Sequence, residues 1–91
     1  MELRQLQFFV AVAERLNFSR AAEALYISQP SLSYQIAELE RELGVELFMR
    51  DRRRVALSPA GALLLEPSRE LLAVSERIRN IAGEIARNGA G

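Results

Sequence analysis

From Leu64 onward the chain carries apolar residues on a seven-residue repeat. Leu64, Leu71, Ile78 and Ile85 form one series, and Pro67, Val74, Ile81 and Asn88 form a second, offset by three. Side chains three and four apart share one face of a helix, and a seam kept up for more than three heptads is the pattern by which one helix packs along another. Ser58-Pro59 marks the start, because serine caps a helix and proline is tolerated at its first position. Asn88-Gly89 marks the end. At about 1.5 Å per residue, a helix over residues 59–88 extends for about 45 Å. That is too long to bury against a small domain, so the seam calls for a second chain, and a dimer is the economical answer. Pro67 removes one backbone donor and is expected to kink the helix after its second turn, leaving the first part to pack on its own domain.

The preceding residues read as three shorter helices and a hairpin. Leu3, Leu6, Phe9, Val10, Ala13 and Leu16 recur at spacings of three and four, the signature of one helix face turned to a core. Asn17-Phe18-Ser19 interrupts this pattern, and Ser19 is the expected N-cap of a second helix, Arg20 to about Tyr26, packed through Ala21, Ala22 and Leu25. Ser28 is placed to cap a third helix with Pro30 in its first turn, and Gly44 is placed to stop it. Leu32, Ile36, Leu39 and Leu43 supply its apolar stripe. Val45 to Arg50 is strand-like, residues 51–54 form a polar tip, and Val55-Ala56-Leu57 returns as a second strand. Phe8, Phe9, Phe18 and Phe48 lie on or beside apolar stripes and are assigned to the core.

Two helices of about seven and fifteen residues joined by a short turn outline a helix-turn-helix. On the third helix, Pro30, Tyr34 and Ala37 point away from the stripe, flanked by Gln29, Ser31 and Ser33. This face is polar but uncharged, whereas Glu38, Glu40 and Glu42 are confined to the far end. A recognition helix enters the major groove by its N-terminal turns, and this charge pattern suits a helix whose tip alone meets DNA. Tyr34 is read as a DNA contact and Gln29 as a candidate. For Ser31 and Ser33 a plain helix-start preference explains the residues equally well.

The 12 basic and 12 acidic residues cancel, but they are not evenly spread. Arg50, Arg52, Arg53 and Arg54 fall within five residues, offset only by Asp51. A basic hairpin directly after a recognition helix is a wing, placed to lay guanidinium groups along phosphates or into a narrow minor groove.

Composition removes most other functions. A chain of 91 residues that is 49% apolar builds one modest core, and with neither Cys nor His it has no disulfides, thiol nucleophile, imidazole chemistry or usual zinc ligands. No phosphate loop or nucleophile elbow accompanies its carboxylates, so no enzyme and no cofactor are expected. The longest apolar run, Phe8 to Ala13, falls far short of the ~20 residues that span a bilayer, and the Met-Glu start lacks a signal peptide's basic region. A soluble cytoplasmic protein is expected.

The run from Phe8 through Gly61 resembles the DNA-binding domain of LysR-type transcriptional regulators. The likeness rests on Leu6, Phe9 and Val12, on Phe18-Ser19-Arg20-Ala21-Ala22 with Leu25, and on Ser28-Gln29-Pro30-Ser31-Leu32-Ser33 with Gln35-Ile36. Leu39-Glu40, Leu43-Gly44, Leu47-Phe48 with Arg50 and Arg54, and Leu57-Ser58-Pro59-Ala60-Gly61 complete it. The resemblance implies a mainly α fold, a winged helix-turn-helix of three helices and a small β-hairpin wing followed by a long linker helix that pairs antiparallel with its twin. Residues 1–58 would be the DNA-binding domain, 59–88 the dimerisation helix, and 89–91 a linker stub towards an effector-binding domain that these 91 residues do not contain.

Carried over by position, the resemblance implies that Gln29, Pro30, Ser33 and Tyr34 meet base edges or the thymine methyl in the major groove and that Arg52 and Arg53 reach the minor groove. It offers Ser19, Ser31 and Arg50 as phosphate contacts and Leu64, Leu71, Val74, Ile78, Ile81 and Ile85 as the dimer seam. The partners expected are double-stranded operator DNA and a second copy of the chain, with a tetramer open to a full-length protein and neither a membrane nor a small-molecule effector for this fragment. Gln pairs bidentately with adenine, which favours an A·T-containing half-site. The alternative reading is a protein-interaction module that dimerises through the heptad helix and has no DNA role.

Overall fold

Helix α1, Leu3–Arg15, turns Leu6, Phe9 and Val12 inward and ends where Leu16 adopts a left-handed conformation (φ 51°) and its N–H reaches the Val12 carbonyl. Helix α2, Phe18–Leu25, begins at Phe18 and not at Arg20, where a serine cap would place it. Asn17 is the cap, not Ser19: its Oδ1 accepts from the Arg20 N–H at 2.8 Å, and this draws Phe18 into the first turn, where the ring is buried. Asn and Ser cap about equally well, and burial of Phe18 decides between them. Ala21 and Ala22 are buried and let α2 lie close against its neighbours. The turn to α3 closes on Tyr26, again left-handed (φ 59°), whose N–H reaches the Ala22 and Glu23 carbonyls. Helix α3, Gln29–Leu43, starts on the Ser28 cap with Pro30 in its first turn and ends at Gly44, where φ is 76°.

The computed structural model describes residues 1–51 and 53–89, so the expectations for Arg52 and for the last two residues of the 89–91 stub fall outside it. Strands β1 (Phe48–Arg50) and β2 (Val55–Leu57) pair antiparallel, with Phe48 opposite Leu57 and Arg50 opposite Val55. The strand-like run from Val45 is a strand only from Phe48. The Leu47 N–H donates to Glu40 Oε2 at 2.7 Å, and the Leu47 carbonyl accepts from the Ser58 N–H at 3.0 Å, so 45–47 form a tethered turn.

Helix α4, Pro59–Arg87, starts on Ser58, whose Oγ accepts from the Gly61 N–H at 2.9 Å and donates to the Glu46 carbonyl at 2.5 Å. The helix is continuous through Pro67, and the next residue, Ser68, donates its hydroxyl back to the Leu64 carbonyl at 2.8 Å. Leu64, Leu65 and Leu72 lean on the core, and past them α4 leaves the domain, giving the molecule extents of 54 × 25 × 19 Å. Among the described residues, no helix is long and apolar enough to cross a membrane.

The core lies between α1, α2, α3 and the root of the wing. Phe9, Val12, Leu32, Ile36, Leu39 and Leu47 are essentially sealed from solvent, each contributing about 1.5 to 3 kcal/mol by burial. Phe48 stands edge-on to Phe9 (centroids 5.6 Å apart) and to Phe18 (5.8 Å), fixing the wing to α1 and α2. All four phenylalanines are buried, in agreement with the stripe reading.

Gly61 leaves no room for a side chain. A Cβ there would collide with the Leu47 carbonyl oxygen and come within 3.0 Å of Leu57 Cδ2, whereas at Gly83 the nearest neighbour is the flexible tip of Arg87 at 3.5 Å. Gly61→Ala is therefore expected to destabilise by about 1 to 3 kcal/mol, and Gly83→Ala to be neutral or to stabilise by up to about 1 kcal/mol. Urea midpoints of the two variants check this, and equal midpoints would contradict the close packing of α4 on the Leu47 turn.

Candidate nucleic-acid interface

A residue of α3 is placed by its turn of about 100° from the last. Leu32, Ile36 and Leu39 face the core, so Pro30 and Tyr34 face outward, Gln29 and Ser33 lie on one flank, and Ser31 and Gln35 lie on the other. Burial agrees: the three apolar residues are inaccessible, Tyr34 is 61% exposed, and Gln29, Pro30 and Ser31 are all exposed. The tip is internally bonded. Gln29 Nε2 donates to Ser33 Oγ at 3.2 Å, and Ser28 Oγ donates to Ser31 Oγ at 2.8 Å while accepting from the Ser31 N–H. Gln29 is held by its neighbour one turn on, with Oε1 left to accept.

The wing closes through Asp51. Its Oδ1 accepts from the Arg53 N–H at 2.8 Å and from the Arg54 N–H at 2.9 Å, and its own N–H donates to the Arg54 carbonyl at 3.1 Å. One carboxylate thus ties the basic tip and turns the Arg53 and Arg54 side chains outward, where both are exposed. The backbone N–H of Arg53 and then that of Arg54 hold the Asp51 carboxyl below its ordinary range. Arg50 behaves differently. Its guanidinium lies 4.8 Å from the Phe18 ring centroid and 3.5 Å from Glu40 Oε1, so it braces the wing root against α2 and α3.

These elements meet in one concavity of about 290 Å³, whose walls are Asn17, Phe18 and Ser19 at the start of α2, Gln29 at the start of α3, and Asp51, Arg53 and Arg54 at the wing tip. Gln29 and Arg53 therefore lie on the same side of the molecule. Of the residues singled out from sequence, Ser19, Gln29 and Arg53 line this groove, while Pro30, Ser33 and Tyr34 continue from it over the tip of α3. Ser31 is on the opposite flank. Arg52 lies outside the described residues.

The heptad residues divide. Leu64 leans on the domain's own core, whereas Leu71, Val74, Ile78, Ile81 and Ile85 are exposed, Ile78 by 63%. Leu64, Pro67 and Leu71 also edge an apolar hollow of about 220 Å³ that reaches to Leu6, Leu39 and Leu47, so the bare seam runs on into the domain surface.

Two residues that shape the site escape sequence reasoning. Glu40 reads from its sequence as solvated or salt-bridged; it does pair with Arg50, but it is also largely sequestered and holds the Leu47 N–H, which the sequence does not suggest. Its only signal is its place among the apolar residues Leu39, Leu43 and Leu47. Arg4, on α1, has no sequence signal beyond its charge, and it stands beside the tip of α3.

Three helices, a recognition-type tip and a hairpin wing sharing one groove define a winged helix-turn-helix module. The family described as "Bacterial regulatory helix-turn-helix protein, lysR family" matches residues 3–62, and the chain belongs to it. Among its relatives, the Hca operon transcriptional activator HcaR of Escherichia coli is 51% identical over 87 residues, covering 96% of this chain and 29% of that protein. The HTH-type transcriptional regulator TfdT of Cupriavidus pinatubonensis is 46% identical over 91 residues, covering 100% of this chain and 40% of that one. The chain therefore spans less than half the length of either regulator. Among solved structures, the BenM DNA-binding domain in complex with catB site 1 DNA superposes with a TM-score of 0.90 at 42% identity, covering 94% of this chain and 96% of that one. Full-length CbnR complexed with its target DNA gives 0.87 at 41%, covering 96% of this chain and 30% of that one.

The Asp51 geometry has a pH signature. A carboxyl held low in the folded state contributes stability that is complete above its unfolded value, about 3.9, and is lost as pH falls through the lower folded value. The Arg53 and Arg54 amide resonances should thus stay fixed from pH 7 to about 4.5 and then move together, with a midpoint below about 3.9. Independent titration of the two amides, or a midpoint above that value, would show that Asp51 does not close the wing.

Proposed function

We propose that this chain is the operator-recognition module of a LysR-type transcriptional regulator, a homodimer that binds double-stranded DNA with no catalytic role and acts in the cytoplasm. The observation that carries this is the single groove in which the uncharged α3 tip meets the arginine-bearing wing. In this reading residues 1–58 are the DNA-binding domain, 59–88 the dimerisation helix, and 89–91 the stub towards an effector domain. Gln29, Pro30, Ser33 and Tyr34 meet base edges in the major groove, while Arg52 and Arg53 of the wing reach the adjacent minor groove. Ser19, Ser31 and Arg50 approach phosphates, Arg50 only with its contact to Glu40 retained or exchanged. Leu71, Val74, Ile78, Ile81 and Ile85 bury against a second α4, with Leu64 at the domain end of the seam. BenM and CbnR, each solved in complex with DNA, support this reading by analogy. An interaction module without DNA would leave the tip and the wing without a use for their juxtaposition.

The mechanism is positional. The α3 tip presents donors and acceptors without charge, so it discriminates by hydrogen bonding, and the wing supplies the phosphate attraction that sets affinity and salt dependence. Gln29→Ala should cost about 1 to 3 kcal/mol on a preferred half-site and little on random duplex. Gel-shift titrations on both duplexes check this, and equal losses would reassign Gln29 to the backbone. The Arg52→Ala, Arg53→Ala double variant should flatten the dependence of log K on log salt by about 0.9 for each phosphate no longer neutralised; an unchanged slope would remove the wing from the interface. Ile78→Glu should convert the dimer to monomer in sedimentation equilibrium and leave the helical content of residues 1–58 intact. A variant that still sediments as a dimer would rule out the α4 seam.

A further inference from the structure

A second polar concavity, of about 380 Å³, lies beside the tip of α3, away from the wing. Its walls are Arg4 and Phe8 of α1, Ile27 and Ser28 of the α2–α3 turn, and Ser31 and Gln35 of α3. The helical positions of Ser31 and Gln35 put this concavity across the Pro30–Tyr34 face from Gln29 and the wing. The Arg4 guanidinium stands 5.9 Å from the centroid of the Phe8 ring, a cation–π placement that holds it near the groove. Arg15, Arg41, Arg50, Arg69 and Arg79 have carboxylate partners, whereas among the described residues Arg4, like the wing's Arg53 and Arg54 and like Arg20, Arg77 and Arg87, has none. An exposed guanidinium placed on an aromatic face, without a carboxylate partner and set next to the Ser31 hydroxyl, whose hydrogen the Ser28–Ser31 bond leaves free, is suited to a phosphodiester oxygen.

Resting on the DNA-binding reading above, we infer that Arg4 is a phosphate clamp for the strand on the far side of the major groove from the wing. A duplex that admits the α3 tip has a sugar-phosphate backbone on each side of the groove. On one side the backbone passes the wing, whose Arg53 reaches on into the minor groove, and the other side meets Arg4, with Ser31 beside it. The interface is therefore two-flanked, with an arginine on each side of an uncharged tip, and Arg4 fixes the depth and tilt of α3 without reading sequence.

The test is the salt dependence of the 91-residue protein, its Arg4→Gln variant and its Arg4→Lys variant on a preferred duplex and a random one. Arg4→Gln should weaken both complexes several-fold, to the same extent, and flatten the log K against log salt slope by about 0.9. Arg4→Lys should restore the slope because it restores the charge. An unchanged slope in Arg4→Gln, or a loss confined to the preferred duplex, would overturn the clamp. Methylphosphonate scanning of the duplex with the unaltered protein gives a second reading that does not depend on any variant's fold. Sensitive phosphates on both strands beside the half-site are expected, and sensitivity on the wing-side strand alone would overturn the proposal. Wild-type protein that binds while Arg4→Gln matches it removes only the Arg4 flank; wild-type protein indifferent to every duplex removes the DNA-binding reading with it.

Discussion

Leu47 is inaccessible to solvent, and both of its backbone polar groups are satisfied by residues distant in sequence: its N–H by the Glu40 carboxylate, its carbonyl by the Ser58 N–H. An unpaired buried backbone group costs about 1 to 3 kcal/mol, so this turn has little freedom. It fixes three elements at once. Glu40 belongs to α3, Phe48 begins the wing, and Ser58 begins α4, whose Gly61 packs against the same carbonyl. With Phe48 wedged edge-on between Phe9 and Phe18, the wing cannot pivot relative to α3 without unpacking the core. The shared groove of Gln29 and Arg53 is a consequence of that anchoring.

The charge pattern serves the same site. The chain is neutral overall, and several arginines away from the α3 tip are paired with carboxylates, as in Arg41–Glu38 and Arg79–Glu76, although among the described residues Arg20, Arg77 and Arg87 are not. At the wing the one carboxylate, Asp51, engages backbone amides and leaves the guanidinium groups of Arg53 and Arg54 outward. Local positive potential is retained in a molecule with no net charge. Nonspecific attraction to a polyanion is then weaker than for a basic domain, and on the proposed DNA-binding reading this would leave more of the discrimination to the uncharged tip.

The four helices, the wing and most of each stripe are legible in the sequence because each rests on periodicity or on a residue with a local backbone role: Ser28 and Ser58 as caps, Gly44 as a stop, Pro59 at a first turn. Leu3 and Leu16 of the α1 stripe and Leu43 of the α3 stripe are nonetheless exposed, because they stand at helix ends beyond the packed region. The departures arise where tertiary burial chooses between equivalent local options. Asn17 and Ser19 cap equally well in isolation, and only the Phe18–Phe48 contact selects Asn17. Val45 to Leu47 has strand composition, but the pull of Glu40 and Ser58 on Leu47 makes it a turn. Glu40 looks like one of three alternating surface carboxylates, since nothing in its own neighbourhood reveals that the Leu47 amide points at it. The groove that joins Ser19, Gln29 and Arg53 unites three separate elements, beyond the reach of any local pattern.

The same joint bears on how two domains would be set against each other. Beyond Leu72, α4 has almost no support from its own domain, so its direction is decided over its first turns, where Ser58 bonds to Glu46 and Gly61 sits against Leu47. A small rotation at that point is magnified along a helix that extends for about 40 Å. In a dimer made by pairing the exposed stretch from Leu71 to Ile85, the separation of the two α3 tips is therefore a property of the Leu47–Gly61 contact as much as of the seam. Helix-turn-helix dimers meet half-sites about one DNA turn apart, or multiples of it, and a rigid joint is what makes that separation selective. The absence of a side chain at Gly61 lets α4 sit close against the wing root, and in such a dimer this contact would transmit the geometry of one domain to the other.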